Sequence, residues 1–242
     1  MHPIFLLLWL AISLLRVAPL EGDTGHVQGI AVDEGRLFLT SVDPAARKGR
    51  LFEFDAGTGK QLRAVEVQIG EMYHPGGIDV DEDAVWVPVA EYRPASRSVI
   101  QRRLKSSLEL AGSFEVADHI GALAVLPEGL LLANWDARKF YLYSRDGKLI
   151  WTRPNPNPTR YQDMKRRYGA IVASGLRGRG PAAQAVVEWL DPETLRPLQN
   201  QVLGRSDRGV PFTNEGMEYR DGRLYLVPED SPSRLFIFRL ED

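Results

Sequence analysis

The sequence contains no cysteine. Disulfide bonds, thiolate metal ligands and a cysteine nucleophile are therefore excluded. An excess of charge of one sign is also lacking, because 30 basic and 32 acidic residues leave a net charge of −2. We therefore expect no nucleic-acid partner. The sequence further lacks a phosphate-binding glycine loop, a G-x-S-x-G serine elbow and an H-E-x-x-H zinc motif.

One long apolar run is present, and it lies at the extreme N-terminus. Ile4–Leu15 has the length of the apolar core of a signal peptide and is short for a transmembrane helix. We therefore predict a signal peptide over residues 1–18, although Arg16 fits a cleavage site after Ala18 poorly. An uncleaved N-terminal anchor, which would be the sole membrane contact, is the alternative. In both cases we expect a secreted or periplasmic protein with one domain over residues 19–242.

The rest of the chain repeats a pattern about every 46 residues. Each copy has a polar residue, a small residue and an aliphatic strand, then an acidic or glycine turn and a second apolar strand. The copies start at His26, His74, His119, Tyr161 and Thr213. Units of this length and pattern are typical of β-propeller blades. We therefore predict an all-β fold, a β-propeller of five four-stranded blades around a central channel. The alternative, a two-sheet sandwich, lacks such a repeat.

The fifth unit ends after its third strand. The segment around residues 15–20 precedes the first unit as Leu62–Val65 precedes the second. We therefore predict that residues near 15–20 supply the outer strand of the last blade. This prediction conflicts with cleavage after Ala18, and the start of the mature chain stays open.

All three histidines outside the predicted leader occupy one position of the repeat. Because the first strand of a blade is innermost, we expect these side chains to converge on the channel. The equivalent positions of the two remaining units are Tyr161 and Thr213. Residues two positions further on face the same way; they are Gln28, Gly76, Gly121, Asp163 and Glu215. Their immediate neighbours include Asp118, Gln162 and Asn214.

Three functions fit this set of side chains, and the sequence leaves them open. His26, His74 and His119 could hold a divalent metal ion, because neutral imidazoles with a carboxylate suit zinc or another transition ion. A shielded histidine or carboxylate could instead act as an acid or base, with Glu215 and Asp163 as the catalytic candidates. A hydrogen-bonded plug without a ligand is the third reading. The candidate contacts for a small molecule or peptide are Gln28, Asp118, Tyr161, Gln162 and Asn214.

The motifs that start at His26, His74, Asp118 and Tyr161 resemble those of an uncharacterised family of predicted secreted five-bladed propellers. This resemblance covers nearly the whole chain after the leader. It implies the propeller fold and no established activity.

A more remote resemblance is to the plant and bacterial type of glutaminyl cyclases. It is carried by Val27–Ile30 (VQGI) and by Asn214–Tyr219 (NEGMEY). Those cyclases are five-bladed propellers that cyclise N-terminal glutamine at a site in the channel. The resemblance implies that Glu215 shuttles a proton while Asn214 and Gln28 position the substrate amide. A scaffold that binds proteins without catalysis is the remaining alternative.

Overall fold

The computed structural model describes residues 11–241. The first strand, β1 (Ala11–Pro19), is followed by twenty others, and together they form five antiparallel sheets arranged as a five-bladed β-propeller. The predicted fold class is therefore confirmed. Residues 1–10 of the predicted leader lie outside the described residues.

The first three blades run from the inner to the outer strand in chain order. Blade one consists of β2 (His26–Asp33), β3 (Arg36–Asp43), β4 (Lys48–Asp55) and β5 (Gln61–Glu66). Blade two has an inner strand in two pieces, and consists of β6 (Met72–Pro75), β7 (Asp79–Val80), β8 (Ala84–Glu91), β9 (Ser98–Leu104) and β10 (Leu110–Val116). Blade three consists of β11 (Ile120–Leu126), β12 (Gly129–Asn134), β13 (Lys139–Tyr143) and β14 (Leu149–Pro154).

The last two blades complete the ring. Blade four consists of β15 (Thr159–Arg167), β16 (Ala170–Arg177), β17 (Gln184–Leu190) and β18 (Pro197–Leu203). Blade five consists of β19 (Glu215–Arg220), β20 (Arg223–Pro228) and β21 (Arg234–Glu241), with β1 as its outer strand.

Strand β1 closes the ring as the sequence predicted. It pairs antiparallel with β21, from Ala11 opposite Glu241 to Pro19 opposite Arg234. Residues 11–18 of the predicted leader are thus part of the fifth blade, and cleavage of a leader stays a prediction. Over residues 11–241, no helix combines the length and the apolar character that crossing a membrane requires.

Each hydrophobic cluster fills the space between two neighbouring blades. Leu39 of blade one, for example, packs in the same cluster as Val227 and Ile237 of blade five. Four further clusters join the other pairs of adjacent blades. Burying a side chain of this size contributes about 1.5–3 kcal/mol relative to leaving it exposed. The ring is therefore stabilised by contacts between blades, and each blade depends on both neighbours.

The inner strands approach one another so closely that glycine is required. A Cβ on Gly29 would lie 2.4 Å from the Cα of Gly77, and one on Gly216 would lie 2.7 Å from the side chain of Ile30. Only a residue without a side chain permits such contact between backbones. These glycines allow the starts of the inner strands to meet around one end of the channel.

Four inner strands also carry an unpaired residue close to their start, where the strand register shifts. These residues are Gln28, Tyr73, Gly121 and Gln162. A residue inserted in this way is re-aimed relative to the rest of its strand. By this register, Gln162 corresponds to Gln28, and Arg160 corresponds to His26. The expected alignment of the fourth unit, with Tyr161 at the histidine position and Asp163 opposite Gln28, was therefore wrong by one residue.

Candidate functional site

The inner strands begin around a pocket of about 210 Å³ at one end of the channel. All five blades contribute to its wall. The residues that line it are His26, Gln28, His74, Tyr92, His119, Gly121, Asn134, Trp135, Asp136, Tyr161, Gln162 and Glu215. The structure thus brings the three histidines and Glu215 together, as the repeat predicted. Asp118, Asp163 and Asn214 do not line the pocket.

His74 and His119 form a directly hydrogen-bonded pair. His119 Nδ1 lies 2.8 Å from the backbone oxygen of Arg93, which can only accept, so this nitrogen carries the proton. His119 Nε2 is then an acceptor, and it accepts a hydrogen bond from His74 Nδ1 at 3.1 Å. Burial and the neighbouring imidazole lower the pKa of His74 to about 3, and burial lowers that of His119. Both rings are therefore neutral at physiological pH.

This arrangement leaves the second nitrogen of His74 available. Among residues 11–241, no group forms a hydrogen bond with His74 Nε2. Because Nδ1 holds the proton, Nε2 carries a lone pair. His74 lines the pocket, so this lone pair can accept a hydrogen bond from a ligand or act as a base.

Aromatic rings surround the histidine pair. The ring of Tyr92 lies 4.3 Å from that of His74, and the ring of Trp135 lies 4.5 Å from that of His119. Tyr92 and Trp135 lie just after β8 and β12, outside the inner strands that the repeat pattern followed. The repeat pattern therefore did not indicate them, nor did it indicate Asn134 and Asp136. They make one side of the pocket aromatic.

His26 lies on the other side of the pocket, between two carboxylates of blade five. Its Nε2 is 3.6 Å from Glu215 Oε1 and 3.4 Å from Glu229 Oε1. The Glu215 carboxylate raises the pKa of the His26 imidazole, against burial, which lowers it. One donor atom from each of the three residues lies within 4.8 Å of the others. The three histidines form no such group within the described part of the chain.

Glu215 combines burial with backbone strain. The residue is 7% exposed, and apart from His26 no described residue contacts its carboxylate as a donor. Burial raises its pKa. Its φ of +135° falls where residues with side chains are rarely found, at a cost of about 1–3 kcal/mol. Strain and a perturbed carboxylate together are typical of a functional residue.

The other predicted ligand contacts are tied into the surrounding structure. Tyr161 donates its hydroxyl hydrogen to Glu188 and accepts a hydrogen bond from Asn157. Asp118 accepts hydrogen bonds from Tyr141 at 2.6 Å and Asn134 at 2.9 Å. Their polar atoms are therefore already partnered.

The remaining predicted ligand contacts are Asn214, Gln28 and Gln162. The Asn214 side chain is 3.3 Å from Glu229 Oε2 and so supports that carboxylate from outside the pocket. Gln28 and Gln162, two of the register-shifted residues, line the pocket itself.

Asp163 occupies the place on the axis where blades one, two and five have Gly29, Gly77 and Gly216. Its Oδ2 accepts hydrogen bonds from the backbone nitrogens of Ile30 and Met217 at 3.0 Å, and its Oδ1 accepts from Met164 and Lys165. Both oxygens are thus used to join blades one, four and five. These contacts favour a structural role, and the predicted catalytic role of Asp163 stays untested.

At the far ends of the inner strands, a buried network of charged side chains fills the channel. Arg167 bonds to Asp79 at 2.8 Å and to Glu218 at 2.7 and 2.9 Å, and both carboxylates are fully buried. These two acids raise the pKa of the guanidinium, although burial opposes them. The ion network spans blades two, four and five. The pocket is therefore a blind cavity that opens at one end of the channel.

These features define a five-bladed β-propeller with a pocket of mixed aromatic and ionisable lining on its axis. The chain belongs to DUF6454, a family of unknown function, whose model matches residues 17–165. No curated protein matches its sequence.

The solved structures that are similar to this one include two whose likeness extends over most of the chain. The glutaminyl cyclase of Myxococcus xanthus has a TM-score of 0.73 at 15% identity, over 96% of this chain and 97% of that one. A protein of unknown function from Bacteroides caccae has a TM-score of 0.53 at 12% identity, over 83% of this chain and 70% of the other. At such identities the likeness establishes the shared fold. Both resemblances predicted from the motifs, to an uncharacterised propeller family and more remotely to glutaminyl cyclases, are confirmed at that level.

Proposed function

We propose that the protein binds a small ligand, about the size of one amino-acid residue, in the pocket of its channel. The supporting observation is that two acceptors on the pocket wall, the Glu215 carboxylate and His74 Nε2, receive no hydrogen bond at hydrogen-bonding distance from residues 11–241. They can therefore accept hydrogen bonds from a ligand, whereas in a plug neighbouring side chains would supply the donors. Drug-sized ligands occupy roughly 300–1,000 Å³. The pocket of about 210 Å³ suits a smaller molecule or the terminal residue of a peptide.

The chemistry of the pocket favours a ligand with an amine or amide. Both unsatisfied groups accept hydrogen bonds, so the ligand must donate them. Tyr92 and Trp135 offer aromatic faces for an apolar portion or for the ammonium group, which is attracted to such faces. Amino-acid amides and the N-terminal residues of peptides meet these requirements.

A panel of amino-acid amides and dipeptides tests this proposal by thermal shift and calorimetry on the full chain, freed of metal by a chelator. Tyr92→Ala is the informative variant, because Tyr92 is 37% exposed and its removal leaves the core intact. Tyr168→Ala, at a residue that is 68% exposed and outside the pocket, is the control. We expect a compound that binds the wild type and the control and binds Tyr92→Ala at least tenfold more weakly. Absence of binding by every compound, or equal binding by all three proteins, would favour an interaction scaffold.

A specific activity, cyclisation of N-terminal glutamine, is the second candidate. Two residues that the cyclase resemblance assigns to the reaction, Gln28 and Glu215, line the pocket. In this reaction the terminal amine attacks the side-chain amide carbon, a five-membered lactam forms and ammonia leaves. Glu215 would take a proton from the amine and return it to the leaving nitrogen, a role that its raised pKa favours. The likeness over almost the full chain to the Myxococcus xanthus enzyme adds to this support.

A peptide assay that measures released ammonia tests this activity. We expect turnover of a peptide that begins with glutamine, none with the same peptide beginning with asparagine, and loss of turnover in Glu215→Gln. Binding of the glutamine peptide without release of ammonia would reject the cyclase activity and leave the ligand proposal standing.

A further inference from the structure

The distances around His26 do not match hydrogen bonds. A charge-assisted N–H···O bond spans about 2.7–2.9 Å, whereas His26 Nε2 lies 3.6 Å from Glu215 and 3.4 Å from Glu229. Nε2 is nevertheless buried and has no hydrogen-bond partner among the described residues. The three side chains alone are therefore close enough for an ion pair with a protonated His26, but they leave its Nε2 without a hydrogen bond.

The same distances match ligands of one tetrahedral metal ion. Zinc binds nitrogen and oxygen at about 2.0–2.2 Å, and two ligands of a tetrahedral ion at that radius are about 3.4 Å apart. Both distances from His26 Nε2 lie close to this edge length. All three donor atoms also lie within 4.8 Å of one another, so one ion can contact them together.

The unsatisfied groups provide an independent reason for an ion at this place. The Glu215 side chain is 9% exposed, and no donor other than His26 reaches it from the described residues. A second carboxylate, Glu229, lies beside it without a neutralising lysine or arginine in contact. A dication supplies the missing partner to the imidazole and to both acids at once.

We propose that His26, Glu215 and Glu229 hold a zinc ion at the edge of the pocket. The set contains one imidazole and two carboxylates, whereas calcium takes six to eight oxygen ligands. Three protein ligands leave a fourth position, which water or a donor atom of a ligand can occupy. His74 and His119 are outside this set, because each uses a ring nitrogen to bond the other. The proposal shares Glu215 with the small-ligand proposal, and the two are tested on zinc-loaded and metal-free protein separately.

Zinc binding to the full chain tests the proposal directly. After chelator treatment, zinc alone is titrated by calorimetry, and we expect one ion per chain and a higher melting temperature. Glu229→Gln and His26→Gln should each weaken zinc binding at least tenfold. Both side chains are partly exposed, at 52% and 28%, so the variants should fold. Glu128→Gln, an exposed acid in the turn between β11 and β12, is the matched control and should bind as the wild type.

Other results would overturn the site. Less than one zinc per chain in the wild type would do so, as would wild-type affinity in both Glu229→Gln and His26→Gln. Loss of zinc in His74→Gln but not in His26→Gln would also overturn it, in favour of a different ligand set. Cobalt(II) in place of zinc should give the intense visible absorption of a tetrahedral centre, and the weak absorption of an octahedral one would contradict the proposed coordination. Because the amide panel uses metal-free protein, its outcome and the zinc outcome are distinguishable.

Discussion

His74 donates a hydrogen bond to His119 across 3.1 Å, so two imidazoles from neighbouring blades fix each other's tautomers. The backbone oxygen of Arg93 sets the direction of this chain by accepting from His119. The pair therefore works as one neutral unit whose free end, His74 Nε2, belongs to the pocket. A histidine that stays neutral when the pH falls has a consequence for stability.

We expect His74 to contribute a loss of stability as the pH falls below about 6.5. The pKa of His74 is about 3 in the folded protein and about 6.5 in the unfolded chain, so between these values only the unfolded chain binds the proton. Between pH 7 and pH 5, this difference in pKa lowers the free energy of unfolding by about 2 kcal/mol. Urea unfolding at both pH values measures it, and His74→Gln should lose about 2 kcal/mol less than the wild type between them.

His26→Gln is the control for this pH experiment, performed with chelator present. The folded pKa of His26 is raised, so its contribution to stability is complete at low pH and is lost as the pH rises. Its removal should therefore make the fall in stability towards pH 5 steeper. The same pH dependence in wild type and His74→Gln would show that the pair is not held neutral.

We expect Asp163→Asn to destabilise the ring strongly. The substitution leaves the fully buried Lys165 charge without its partner, and breaking such a pair typically costs about 3–5 kcal/mol. Adding Lys165→Met should recover part of the loss, because no buried charge then remains. Urea unfolding of the single and double variants measures both effects. Asp83→Asn, at an exposed pair with Arg102, is the control and should unfold close to the wild type.

We expect Glu215→Gly to be more stable than Glu215→Ala. Both remove the buried carboxylate, but only glycine adopts a φ of +135° without strain. The difference should be about 1–3 kcal/mol in chemical unfolding. At Glu128, which has no such φ, alanine should be the more stable replacement. A Glu215→Ala protein as stable as Glu215→Gly would show that the strain at this position is absent.

We expect a chain that starts at residue 19 to be less stable than one that starts at residue 11. The shorter chain lacks β1, so β21 presents an unpaired edge on which another chain can add. Urea unfolding and light scattering should show a lower midpoint and self-association. Equal urea midpoints and equal light scattering of the two chains would show that β1 is dispensable.

N-terminal sequencing of protein recovered from the periplasm or medium of its host tests the predicted leader and location.

The sequence was sufficient to predict the ring and the place of the site. The repeated start of each unit predicted five blades, and His26, His74, His119 and Glu215 meet in the pocket because the fold copies one strand position by rotation. The closing strand was also predictable, since the last unit lacked one strand.

The details of the site depend on features that no local pattern contains. The fourth unit aligns one residue away from the expected match, so Gln162 takes the place of Gln28 on the pocket wall and Asp163 lies on the axis. Glu229 stands two strands' length from Glu215 along the chain, so its approach to His26 follows only from closure of the ring. Tyr92 and Trp135 come from segments outside the repeat motif.

The first and last blades meet, and the ring closes, beside the cluster of His26, Glu215 and Glu229. His26 begins the first blade, whereas Glu215 and Glu229 belong to the last, whose outer strand comes from the opposite end of the chain. During synthesis, β1 must wait for β21 to emerge before it has anything to pair with. A translation product that stops before blade five therefore lacks Glu215, and the wall of the cavity is complete only when the chain is finished and the ring has closed.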